Sequence, residues 1–214
     1  MLLVRIPTFW INEDEVNKIL DRARKFKSVI LDLRGNGGGP QDSLRSLLGA
    51  FFDHDVKIGD EQTRKSTKIL SVKPDRHSFS GTLIVLVDSW SRSAAEIFAR
   101  VVQLEKRGII LGDRTAGMVM GAEVYSHASL DSVFGVSVTV ADLIMSDGKR
   151  LEHVGVFPDQ VILPTAEDLA NERDPVLARA AADVGFKLSP TEAGRLFPYE
   201  WEVPPSIAGV GSWF

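Results

Sequence analysis

Short runs of consecutive apolar residues alternate, through the first half of the chain, with stretches in which apolar residues recur every three or four positions. Leu2–Ile6, Val29–Leu33, Thr82–Val87 and Ile109–Leu111 are runs of the first kind. A strand of a parallel sheet needs such a run when helices cover both of its faces. Val16, Ile19, Leu20, Ala23 and Phe26 form a stretch of the second kind, which Asn12 can cap. Leu44, Leu47, Leu48 and Phe51 within residues 41–52 form another. The third is Ala94, Ile97, Phe98, Val101 and Val102, with Glu96 and Arg100 expected to pair on its wet side. This alternation predicts right-handed βαβ crossovers around a central, largely parallel sheet. The chain from Asp53 to Ser80 is polar and mixed, with one strand expected around Ile69–Val72. Residues 123–144 favour strands and add a β-rich layer, with an Asp-Gly turn at Ser146–Lys149 between two of them. Asp174 and Pro175 open a last helix carrying Val176, Leu177, Ala180, Ala181 and Val184. The reading is one α/β unit over residues 1–187, followed by an irregular tail, 188–214, that contains Trp201 and Trp213.

Composition narrows the classes of function. A chain of 214 residues is long enough to bury a full core without staples, and it contains no cysteine. Thiolate metal sites, cysteine nucleophiles and disulfides are therefore excluded. The 25 basic and 29 acidic residues give a formal charge of −4 with no long run of one sign. That balance argues against a nucleic-acid or anionic-membrane partner. No apolar stretch approaches the roughly 20 residues of a membrane span. The opening Met1–Pro7 also lacks the basic and apolar regions of a signal peptide.

Two loops are candidates for chemistry, because each follows a buried strand and opens a helix, where open α/β sheets place their ligands. The first is Gly35-Asn36-Gly37-Gly38-Gly39-Pro40. Three successive glycines let backbone N–H groups approach an anion without interference from a Cβ. A phosphate loop would need G-x-x-x-x-G-K-[ST], and Gly112–Gly117 is followed by Met118 instead of lysine. A flexible crossover turn is the plain alternative. The second loop ends at Ser93, whose hydroxyl would sit at the positive end of a helix, beside the orphan N–H of Ala94. A simple N-cap is the alternative there. Taken together, N–H groups from Gly38 and Ala94 could converge on one carbonyl oxygen beside the Ser93 hydroxyl, which outlines a serine acyl-transfer site. Such a site needs a base. His54, His77, His127 and His153 form no diagnostic spacing, and H-E-x-x-H and G-x-S-x-G are absent. Glu152 and His153 adjoin, but on a strand they would face opposite sides.

Five stretches in order resemble the C-terminal processing, or tail-specific, serine peptidases. They are L-L-V-R-I-P-T-F from Leu2, V-I-L-D-L-R-G-N-G-G-G from Val29, V-D-S-W-S-R-S-A-A-E-I-F-A from Val87, I-I-L-G-D-R-T-A-G from Ile109 and L-E-H-V-G-V-F-P-D from Leu151. The resemblance covers residues 1–163 and implies a ClpP/crotonase-like fold. It implies Ser93 as nucleophile, Gly38 and Ala94 as oxyanion donors with Gly37 beside them, a protein or peptide substrate, and no metal or organic cofactor. The Ser-Lys members carry their lysine base where Met118 stands here. The sequence is therefore similar to the tricorn-core branch, in which a histidine from an upstream segment is the base and a glutamate matching Glu152 assists it. No such histidine precedes the opening strand. The expectation is a catalytic subdomain of a longer bacterial, periplasmic or extracytoplasmic peptidase, weak or inactive without that base. A homo-oligomer is left open. Two rivals stand beside this reading: a non-catalytic module binding apolar ligands or peptides on the same scaffold, and a crotonase-like acyl-thioester enzyme.

Overall fold

The computed structural model describes residues 1–128 and 132–198. Five strands, β1 (Leu2–Arg5), β2 (Ser28–Asp32), β5 (Thr82–Val87), β6 (Ile109–Gly112) and β9 (Gln160–Val161), lie side by side in that order. All four pairings are parallel. Each apolar run divides its side chains between two cores, as the alternation of a pleated strand requires. Val29 and Leu31 of β2, with Val85 and Val87 of β5, face three helices, α1 (Glu13–Ala23), α2 (Gln41–Phe51) and α3 (Ala94–Leu104). Ile30, Ile84 and Leu86 face the other way, onto α5 (Pro175–Asp183) and Ala193 of α6 (Pro190–Leu196). Helices cover both faces, so the four buried positions at Val29–Asp32 need no polar side.

Several helix ends are fixed by the residues the sequence supplies. Asn12 accepts from the N–H of Glu15, whose carboxylate accepts from the N–H of Asn12, which is a reciprocal cap. Asp174 caps α5 through the Leu177 N–H and also pairs with Arg34. Arg34 bridges Asp32 at the end of β2 and Asp174. Burial works against its charge, but the two carboxylates outweigh it and raise the Arg34 pKa above the usual arginine value. The start of the glycine loop is thereby tied to the helix behind the sheet.

A second, antiparallel sheet has the order β4 (Thr67–Val72), β3 (Val56–Thr63), β8 (Val133–Met145), β7 (Gly121–Ala128). This is the expected β-rich layer, but it draws two strands, not one, from the polar stretch after Asp53. Only Val56, Ile58, Leu70 and Val72 on these strands reach the core, too few for periodicity to betray β3. The Asp-Gly turn follows β8 and closes on a single antiparallel bridge, Ile144 to Arg150, so it does not join two full strands. A short helix, α4 (Ala166–Ala170), was not foreseen. The tail expected to be irregular begins with α6, which Ser189 caps and which packs on α5. Trp201 and Trp213 lie outside the described residues.

Candidate active site

Strands β2 and β5 are neighbours and parallel, so the loops at their C-terminal ends leave the sheet together. Hydrogen bonds then stitch these loops to each other. Asp88 accepts from the N–H of Gly35 at 2.9 Å, the Ser91 hydroxyl donates to Leu33 O at 2.8 Å, and the Arg92 N–H donates to Asn36 O at 3.0 Å. The result brings Gly38 against Ser93. A Cβ at Gly38 would stand 2.7 Å from Ser93 Cβ and 3.1 Å from its Oγ. The expected juxtaposition of the two loops is present.

Ser93 is not an ordinary N-cap. Cap residues have extended backbone, whereas Ser93 has φ 55° and ψ −119°. A non-glycine residue held there stores on the order of 1–3 kcal/mol of strain, which persists only where the surroundings over-determine it. They do so here, because the Ser93 N–H is shared between Met118 O at 2.9 Å and the Glu96 carboxylate at 3.1 Å. A comparable strand-to-helix strain presents the serine of G-x-S-x-G hydrolases.

The glycine loop departs from expectation at one atom. The Gly38 N–H donates to Asn36 Oδ1 at 2.8 Å, while Asn36 Nδ2 donates to Ile6 O at 2.7 Å. In this conformation that N–H is committed to the side chain of Asn36 and does not form an oxyanion pair with Ala94. Among the described residues, the amides of this loop without a protein acceptor are those of Gly37 and Gly39. Ala94, the first residue of α3, has no acceptor within the helix. Gly38 itself, at φ +89° and in contact with Ser93, has no room for a side chain. Gly38→Ala is expected to lower stability by about 1–3 kcal/mol, read as the urea midpoint, and to displace Ser93.

Glu96 is the main residue that the sequence misplaced. It was expected on the wet side beside Arg100, but it is fully buried. Its carboxylate accepts from Thr115 Oγ1 (2.5 Å), Gly117 N–H (2.7 Å), Met118 N–H (2.8 Å) and Ser93 N–H. Arg100 pairs instead with Asp147 at 2.6 Å. One buried carboxylate thus clamps residues 115–118 against Ser93. A glutamate at the third position of a helix whose cap is Ser93 is a capping-box signal, and it could have pointed inward at the sequence level.

Residues 151–154 form a turn, not the strand that would have separated Glu152 from His153. Glu152 Oε2 accepts from the N–H groups of Val119 (2.8 Å) and Met120 (3.1 Å), which fixes the carboxylate at the cleft wall. His153 has φ 60° and is exposed. A cleft of about 480 Å³ brings these parts together, lined by Thr8, Gly37, Gly38, Ser93, Met118 and Glu152, with Trp10, Arg92, Met120, Ala122 and Thr139 around them. No histidine is among the lining residues. His54 contacts Asp53 and Glu105, and His127 lies on the exposed β7 against Phe134. No group of three or more His, Asp or Glu suited to a metal ion occurs among the described residues.

Residues 1–162 match the family described as Peptidase family S41. The chain belongs to peptidase family S41. It is 34% identical over 121 residues to the tail-specific protease of Haemophilus influenzae, a match covering 54% of this chain and 17% of that protein. It superposes on the photosystem II D1 C-terminal processing protease with a TM-score of 0.63 and 27% identity, over 76% of this chain and 42% of that one. The tricorn protease shares the fold, with a TM-score of 0.64 at 20% identity, over 85% of this chain and 17% of that one. This S41 chain therefore spans less than a fifth of the Haemophilus relative, and the expected ClpP/crotonase-like architecture is present.

Proposed function

We propose that this chain is the catalytic subdomain of a serine endopeptidase that cleaves protein or peptide substrates near their carboxyl ends, with Ser93 as nucleophile. The observation that carries the reading is the strained backbone of Ser93 at the mouth of α3, with Gly38 packed on its side chain inside the cleft. Membership of a peptidase family agrees with it.

In this mechanism Ser93 Oγ attacks the scissile carbonyl as its proton passes to an imidazole that this chain's cleft does not contain. Glu152, held by two backbone amides, orients that imidazole. The carbonyl oxygen becomes an oxyanion, stabilised by the Ala94 N–H at the positive end of α3. A second donor comes from the glycine loop. Turning the Gly37–Gly38 peptide away from Asn36 frees the Gly38 N–H, and successive glycines make that rotation easy. The imidazolium then protonates the leaving amine, and water hydrolyses the acyl-enzyme by the reverse proton path.

The test is labelling with a fluorophosphonate, followed by mass spectrometry of the modified peptide. The expected result is one adduct, on Ser93, formed faster when imidazole is added as a surrogate base. No adduct, with or without imidazole, would sink the reading and favour a non-catalytic module.

A further inference from the structure

The side chain before the nucleophile has no role in the mechanism above. Arg92 lines the cleft, and its Nε and Nη2 lie 3.5 and 3.6 Å from where a Cβ on Gly37 would stand, so the guanidinium rests along the glycine loop. Its backbone is fixed by the bond from its N–H to Asn36 O. Its guanidinium has no hydrogen-bond or ion-pair partner among the described residues, although the residue is half-buried. Arg45 of α2, away from the cleft, is also half-buried without such a partner among the described residues, but three other half-buried arginines are engaged. Arg34 is held by Asp32 and Asp174, Arg100 by Asp147, and Arg107 donates to the carbonyls of Phe51, Phe79 and Gly81.

A guanidinium offers five N–H donors in a planar fork whose best-matched partner is a carboxylate bound through both oxygens. Desolvating it without an acceptor is unfavourable. The carboxylate available in the cleft, Glu152, already binds two amides through Oε2. The rest of the wall is largely uncharged, with Trp10, Met118, Met120 and Ala122. On the peptidase reading, the anion that a substrate can bring is a carboxylate, either its C-terminal group or an acidic side chain.

We propose that Arg92 is a specificity residue that binds a carboxylate of the peptide substrate beside the nucleophile; this rests on the function proposed above. Charge-assisted bidentate contacts are roughly twice as strong as neutral hydrogen bonds, enough to set a clear preference.

The experiment measures binding separately from turnover. A fluorescently tagged octapeptide of alanine, leucine and valine is prepared as the free acid, as the C-terminal amide, and as the amide with one internal glutamate. Dissociation constants are measured by anisotropy with the Ser93→Ala chain, which leaves the peptide intact. At least one carboxylate form is expected to bind on the order of tenfold tighter than the neutral amide. Preference for the free acid assigns the terminal carboxylate, and preference for the glutamate form assigns a side chain. Arg92→Gln in the same background should erase the difference, and Arg92→Lys should keep part of it. Equal affinities, no binding, or a preference that survives Arg92→Gln would overturn the proposal. If Ser93 still labels with fluorophosphonate in those cases, only the role of Arg92 falls. Absence of labelling removes the peptidase reading as well.

Discussion

Ser93→Ala is expected to abolish fluorophosphonate labelling and the imidazole-dependent part of peptide hydrolysis, because an added base then finds no hydroxyl to deprotonate. In a chain equipped with its own base, the same change should cost on the order of 10⁴ to 10⁶ in rate, since nucleophile and base act as one unit. Stability should move little. Ser93→Gly gives a sharper contrast, because glycine accepts φ 55° and releases backbone strain. That variant should be equally inert yet more stable by about 1 kcal/mol, measured by thermal unfolding. Function that raises its own folding cost is the expected pattern where a site is strained. Labelling that persists in Ser93→Ala would place the nucleophile elsewhere.

Glu96→Ala is the second large effect, and it acts on the fold. The substitution orphans three donors at once, the Thr115 hydroxyl and the N–H groups of Gly117 and Met118, and leaves the Ser93 N–H with Met118 O alone. Each buried donor left unsatisfied costs about 1–3 kcal/mol, partly relieved by water, so a total loss of at least about 3 kcal/mol is expected. For a domain of this size that corresponds to a fall in Tm on the order of 10 °C. Any molecules that remain folded should label poorly, because residues 115–118 would no longer hold Ser93 in its strained conformation. A Tm within about 2 °C of the parent chain would mean that water or a shifted backbone replaces the carboxylate. Glu96→Gln should fall between, since it keeps one acceptor oxygen but turns an NH₂ group toward N–H donors.

These two residues also mark how far the sequence could be read. Ser93 was legible because a hydroxyl between a buried run and a helical stripe has a predictable place, and the order of the surrounding motifs reinforced it. Glu96 was not, because the stripe of α3 suggested a wet face and its four donors lie three to twenty-two positions away. The strand β3 escaped notice for a similar reason: charges occupy Asp60 and Glu61, and pairing with β8 some eighty residues later makes it a strand. Glu152 was singled out through its motif, but an assumed strand hid the turn that directs it into the cleft.

The amino-acid order alone specified the parallel sheet, since runs such as Val29–Leu33 can be satisfied only between two apolar layers, and it specified that the glycine loop and Ser93 emerge from neighbouring strand ends. The first follows from periodicity, which is local, and the second from the strand–loop–helix order along the chain. Tertiary structure alone decided how donors and acceptors met: Asn36 for the Gly38 N–H, Glu96 for the 115–118 segment, Glu152 for two amides, and, among the described residues, no acceptor for the Arg92 guanidinium. A hydrogen bond depends on where a distant group comes to rest, and that position exists only once the chain has closed around it.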